Sequence, residues 1–157
     1  TMARTLDCRL TLLPVPGIVV DQRTREALLS DVHVQRAVES FDDLDIAFVG
    51  IGAPTTDSVT MRDGSIISRA ELDDLLRKGT VGDIALRYYD VNGECIESEI
   101  NDRIIGMTLE QIKQVPKVVG VSGGPQKVAA IRAALKGQLI NVLITDSVTA
   151  QKLLEDA

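Results

Sequence analysis

An α/β fold, with a mostly parallel sheet and flanking helices, is what this sequence predicts, and three stretches carry the prediction. Residues 118–135, VVGVSGGPQKVAAIRAAL, read strand, glycine turn, helix: Val118, Val119 and Val121 are β-branched and apolar, and from Gln126 the apolar period becomes helical. Residues 141–146, NVLITD, form a second short apolar strand, and residues 147–155 a second helix, so the C-terminal part reads βαβα. That pattern joins parallel strands. Residues 45–50 make a third apolar strand ending in glycine.

In chain order, residues 8–13 (CRLTLL) read as a short strand. Pro14 and Pro16 bias their predecessors towards extended backbone, and Gly17 turns the chain. Residues 24–29 and 32–39 read as helices, with Ser30-Asp31 between them able to cap the second. Residues 53–67 form a polar loop with short strands within it. Ser68 and Glu71 make a capping box for a helix over 69–78, ended by Gly79, with Leu72, Leu75 and Leu76 as its buried face. Residues 81–98 read as a hairpin with Asn92-Gly93 as a two-residue turn. Thr108 caps a short helix. In the helix after Pro125, which suits a first helical turn, Val128, Ile131 and Leu135 share a face with Ala130 and Ala134 beside them, and Gly137 closes it. In the last helix Ala150, Leu153 and Leu154 share a face, with Asp146 or Ser147 as N-cap.

The strand ends hold the candidate chemistry. A turn of small residues before a helix, Ser122-Gly123-Gly124, exposes backbone N–H groups at the positive end of the helix dipole. Lys127 lies in the following turn and reaches the same anion. The alternative is a tight strand-to-helix connection with a solvated lysine. Gly50-Ile51-Gly52, at another strand end, lets a ligand approach the backbone, or makes a plain turn; G-x-G without a third glycine is not a dinucleotide fingerprint. Asp83, Arg87 and Asp90 are candidates for ligand hydroxyls or phosphate, and Asn101 for a polar contact; each also reads as a surface or hairpin-edge group. With parallel strands, the ends at 50–52, 122–124 and 145–146 lie along one sheet edge, the place where open α/β sheets bind ligands. His33, the only histidine, reads as a surface or helix-start residue, since the sequence places no nucleophile or acidic partner beside it.

Composition narrows the function further. The 157 residues suit one domain, and 45% hydrophobic with 25% charged residues is ordinary globular composition. With 17 basic against 23 acidic residues the net charge is −6, and the basic residues are dispersed, which disfavours nucleic-acid binding by this chain itself. No apolar run is long enough to span a membrane, and the start lacks signal-peptide architecture. Cys8 and Cys95 lack metal or redox spacing and suit a reduced cytoplasmic protein. No cofactor or metal is expected.

Five segments in order, LLPVPGIV, DIAFVGIGAP (45–54), VGDIALRYYDVNG (81–93), INDRIIGMTLEQIKQVPKVVGVSGG (100–124) and GVSGGPQKVAAIRAALKGQLINVLITDSVTAQKLL, resemble the C-terminal part of the effector-binding domain of SorC-family bacterial transcription regulators. The resemblance implies a Rossmann-like sheet of the NagB/RpiA/CoA-transferase type, incomplete at its N-terminal side. It implies a partial sugar or effector domain over 1–157. A helix-turn-helix and a Gly-Gly-Thr phosphate loop are expected upstream, outside this chain. It implies a phosphorylated sugar or related metabolite as effector, with the 50–52 loop lining its pocket and the 81–93 segment approaching it. DNA binding would reside in the missing helix-turn-helix domain, in a homo-oligomer (dimer or tetramer). The expected function is sensing rather than catalysis. The alternatives are a sugar-phosphate isomerase or deaminase relative, for which no base motif is visible, and an oligomerisation module with a vestigial pocket.

Overall fold

The computed structural model describes residues 2–55 and 67–155. The expected loop strands at 56–66 lie outside the described residues. Helices α1 (Met2–Thr5), α2 (Gln22–Leu29) and α3 (Val32–Glu39) precede strand β1 (Ile46–Gly50). Helix α4 (Arg69–Arg77) leads into β2 (Gly82–Ile84) and β3 (Arg87–Tyr89). Helix α5 (Leu109–Gln114), β4 (Lys117–Val121), α6 (Val128–Lys136), β5 (Val142–Ile144) and α7 (Ser147–Glu155) complete the order.

The sheet has the predicted parallel character. Its strand order is β1-β4-β5, with Phe48 opposite Val119 and Val121 opposite Ile144. All three C-terminal ends therefore lie on one edge. A separate antiparallel pair, β2-β3, is joined to the end of β1 by a bridge between Gly52 and Asp83. One sheet face, with Ala47, Val49, Val118 and Leu143, joins the main core, whose centre includes Ile51, Tyr89, Ile131 and Leu139. Each fully buried side chain of this kind contributes about 1.5–3 kcal/mol. The other face leaves Ile46, Phe48, Val121, Val142 and Ile144 exposed, Phe48 by 66%. Parallel sheets ordinarily bury both faces.

Local signals start the helices where they were expected. Asp21 accepts the Thr24 N–H at α2, and Asp31 those of His33 and Val34 at α3. Ser68 and Glu71 form the capping box of α4, Thr108 and Gln111 that of α5.

Several details differ from expectation, each for a physical reason. Residues 8–13 form no strand and leave Leu10 and Leu12 exposed, because among the described residues no strand pairs with them; pairing begins at Ile18, which bridges Ile104. The hairpin turn of β2-β3 is Ala85-Leu86, both at positive φ (52° and 66°), not Asn92-Gly93. Asn92-Gly93 shapes the next connection, a three-residue loop in which Gly93 takes φ +78° and Tyr89 pairs with Cys95. Helix α6 is entered through a 3₁₀ turn, Pro125–Lys127, and buries Ala130, Ile131, Ala133 and Ala134 while Leu135 stays 40% exposed. The alanines permit that close seat: a methyl group on Gly82 would meet Ala130 Cβ at 2.8 Å. Leu76 and Leu154 are likewise exposed. In α7 the inward position belongs to Thr149, which turns Leu154 to solvent. His33 is exposed, as expected.

Candidate functional site

The shared edge gathers a small set of polar groups around one backbone carbonyl. Ile51 is buried just past β1, and its carbonyl oxygen accepts hydrogen bonds from Lys127 Nζ at 2.7 Å and Ser122 Oγ at 3.0 Å. These donors come from the far side of β4, over seventy residues along the chain. The parallel register that sets Gly50 beside Val121 brings them there. Beside them, Gly52 and Asp83 exchange backbone hydrogen bonds of 2.9 and 3.2 Å. The Asp83 carboxylate lies over Gly52 so closely that a Cβ there would come within 1.9 Å of Oδ1, so only glycine fits. Gly50, Ile51, Gly52, Asp83, Ser122 and Lys127 are thus brought together.

The electrostatics follow from burial. Burial pushes the Asp83 carboxyl above its ordinary range; the Leu86 N–H and the charge of Lys127 oppose this without reversing it. The Tyr89 phenol is pushed up, first by burial and then by Asp83, and donates to the Ala130 carbonyl at 3.1 Å. A carboxyl whose folded pKa is raised binds its proton more tightly in the folded state. Stability from this group is therefore present at low pH and lost as pH rises from the ordinary carboxyl value of 3.8 through the higher folded value. Asp83→Asn is accordingly expected to raise the melting temperature at pH 7 relative to wild type. The gap should narrow on acidification towards pH 4, and a gap constant with pH in parallel melts would contradict it.

The turn at Ser122–Gly124 differs from the open anion cradle expected. Ser122 N–H donates to the Ile144 carbonyl, and Gly124 N–H to both Asp146 Oδ2 (3.0 Å) and Thr149 Oγ1 (2.8 Å). Asp146 Oδ2 would lie 2.3 Å from a Cβ on Gly123. A carboxylate of the chain itself therefore stands where a bound anion was expected. Among the described residues the ammonium of Lys127 donates to the Ile51 carbonyl alone, and it carries two further hydrogens.

Two candidates lie elsewhere. Asp90 accepts from the N–H groups of Asn92 and Glu94 and faces Lys136, at the opposite end of α6 from Lys127. Asn101 gives its amide to the Ile96 carbonyl. Arg87 is a correction: it is 5% exposed, and its guanidinium donates to the carbonyls of Met107, Asn101 and Ile104 rather than facing the edge. The sequence reading missed the Asp146–Thr149 pair. Its only trace is D-x-x-T, an N-cap with threonine where a capping box carries Glu or Gln.

Among the described residues no group of three or more His, Cys, Asp or Glu is placed to hold a metal ion, and no helix is long and apolar enough to cross a membrane. The arrangement can hold a small polar molecule: an ammonium for an anionic end, a carboxylate and a hydroxyl for hydroxyl groups.

The sugar-binding domain family model matches residues 1–155. The chain is similar to the transcriptional regulator LsrR of Klebsiella pneumoniae, with 37% identity over 150 residues covering 94% of this chain and 46% of that protein. It is similar to the deoxyribonucleoside regulator of Bacillus subtilis at 34% identity, covering 92% and 45%. The solved full-length sorbitol operon regulator SorC of Klebsiella pneumoniae superposes with a TM-score of 0.88 at 29% identity, covering 97% of this chain and 48% of that one. The chain spans about half the length of the curated relatives it matches.

Proposed function

From a chain that belongs to the sugar-binding domain family of SorC- and LsrR-type transcription regulators, we propose a sensor of a small phosphorylated sugar or related anionic metabolite. The observation that carries the reading is the convergence of Lys127 Nζ and Ser122 Oγ on the Ile51 carbonyl, beside the half-buried Asp83 carboxylate. Lys127 takes the phosphate, while Asp83 and Ser122 take sugar hydroxyls. Ligand binding biases one of two arrangements of the regulator and so changes operator binding by a helix-turn-helix domain elsewhere in the protein, in the cytoplasm and in a homo-oligomer. The apolar sheet face around Phe48 supports this chain being the C-terminal part of a larger domain whose remainder covers that face.

The test is a thermal-shift panel of sugar phosphates and their unphosphorylated counterparts, run on the full-length protein that carries these residues. At least one phosphate ester should raise the melting temperature well above its parent sugar. Silence across the panel would overturn the reading. Turnover of ribose 5-phosphate or glucosamine 6-phosphate would move the site from sensing to catalysis.

A further inference from the structure

We propose that Asp146 and Thr149 are positioning residues: from the start of α7 they clamp the Ser122–Gly124 turn and thereby keep the Lys127 amine on the Ile51 carbonyl at the binding edge. The consequence for ligand binding rests on the sensor reading above; the clamp itself is a property of the ligand-free chain.

The bonds form one continuous path. Thr149 is fully buried, an unusual place for a hydroxyl unless it is bonded. Its Oγ1 donates to Asp146 Oδ2 at 2.7 Å and accepts from the Gly124 N–H at 2.8 Å. Asp146 Oδ1 accepts the Thr149 N–H at 2.8 Å, the N-cap bond of α7. Gly124 is held at φ +106°, a conformation that suits glycine, and its carbonyl accepts the Lys127 N–H at 3.0 Å. From that fixed backbone the lysine side chain spans to Ile51 at 2.7 Å.

The clamp also sets what the edge recognises. The Asp146 carboxylate already satisfies the Gly124 N–H and packs against Gly123, so that amide is closed to a ligand phosphate. Recognition of the anion then rests on the Lys127 ammonium that the clamp holds. Hydrogen bonds to Asp146 hold its carboxyl below the usual range, so it stays charged at neutral pH.

The test reads Lys127 directly. The full-length protein is treated briefly with an N-hydroxysuccinimide acetate ester, and acetylation is quantified at each lysine by peptide mass spectrometry. Thr149→Val keeps the shape and removes the hydroxyl. It should speed acetylation of Lys127 about fivefold, the factor expected for one ordinary hydrogen bond lost, with Lys136 and Lys152 unchanged. Thr149→Ser should restore the wild-type rate, and Asp146→Asn should raise it in the same direction as Thr149→Val. An unchanged Lys127 rate in both Thr149→Val and Asp146→Asn would overturn the assignment. So would a rise shared equally by Lys136 and Lys152, which marks general loosening. No sugar is present in the assay, so a silent sugar-phosphate panel counts against the sensor reading alone.

Discussion

Replacing Lys127 with alanine is expected to weaken binding of a sugar phosphate by roughly tenfold to a hundredfold, the range for losing a hydrogen bond to a charged group. The unphosphorylated sugar should lose less than about threefold, because its hydroxyls face Asp83 and Ser122 rather than the ammonium. Calorimetry of both ligands on the full-length wild-type and Lys127→Ala proteins checks this. The prediction is sharp because two of the turn amides do not share the load: Ser122 and Gly124 donate to Ile144, Asp146 and Thr149. Had those amides been open, removing one lysine would leave much of the anion site standing. The fold should hardly notice the change, since the lysine's own contribution there is one bond to the Ile51 carbonyl. Equal loss for the two ligands would take Lys127 out of the phosphate role.

What could be read from the sequence is what is decided within a few residues. The capping box at Ser68 and Glu71 spans three positions, and both of its bonds form. The strand-turn-helix over 118–136 declares itself by the switch of apolar period, and its structure differs in the 3₁₀ entry, the exposed Leu135 and the Gly124 amide bonded to Asp146 and Thr149. The parallel strands followed from βαβ connectivity. What could not be read depends on partners far away. Leu10 and Leu12 have strand propensity but no strand beside them, and propensity without pairing does not hold a strand in water. Ala85-Leu86 carries no turn residue. Positive φ is imposed there by its surroundings, including the packing of Leu86 on the second core cluster.

The candidate site divides the same way. Glycine loops at strand ends signal a binding edge, and Lys127 follows from its place after the turn. Asp83 was visible only as an acid near a hairpin; its seat over Gly52 comes from a bridge between segments that no local pattern connects. Asp90 lies seven residues further on and ends at the other extreme of α6, its carboxylate turned on its own loop. Nearness in sequence separated these two aspartates less than one hairpin did. The closing of the turn by Asp146 was invisible for a related reason: an N-cap carboxylate normally serves its own helix, and here it also serves another.

Arg87→Met is expected to cost about 3 kcal/mol of stability, at the lower end for breaking a buried polar network, and to lower the melting temperature by roughly 10 °C for a chain of this size. The guanidinium reaches three carbonyls on the 101–107 segment, at 3.2, 3.2 and 3.5 Å, and Arg25 Nε adds a bond of 2.9 Å to the same Ile104 oxygen. That segment has no sheet to satisfy it beyond the Ile18–Ile104 bridge and the Ile105 N–H to Gly17, so two arginines do what a neighbouring strand would do. Methionine fills the volume but takes the donor from the Met107 carbonyl and leaves the Asn101 and Ile104 oxygens with one donor each, the Ile104 N–H and Arg25 Nε, and that desolvation is the source of the loss. Arg87→Lys should recover only part of it, since one ammonium cannot match a planar fork aimed at separate oxygens. Below its melting temperature the Arg87→Met protein should bind the sugar phosphate as wild type does. Melting unchanged and binding lost would put Arg87 among the ligand groups after all, and would mean the 81–90 segment turns towards the edge when a ligand arrives.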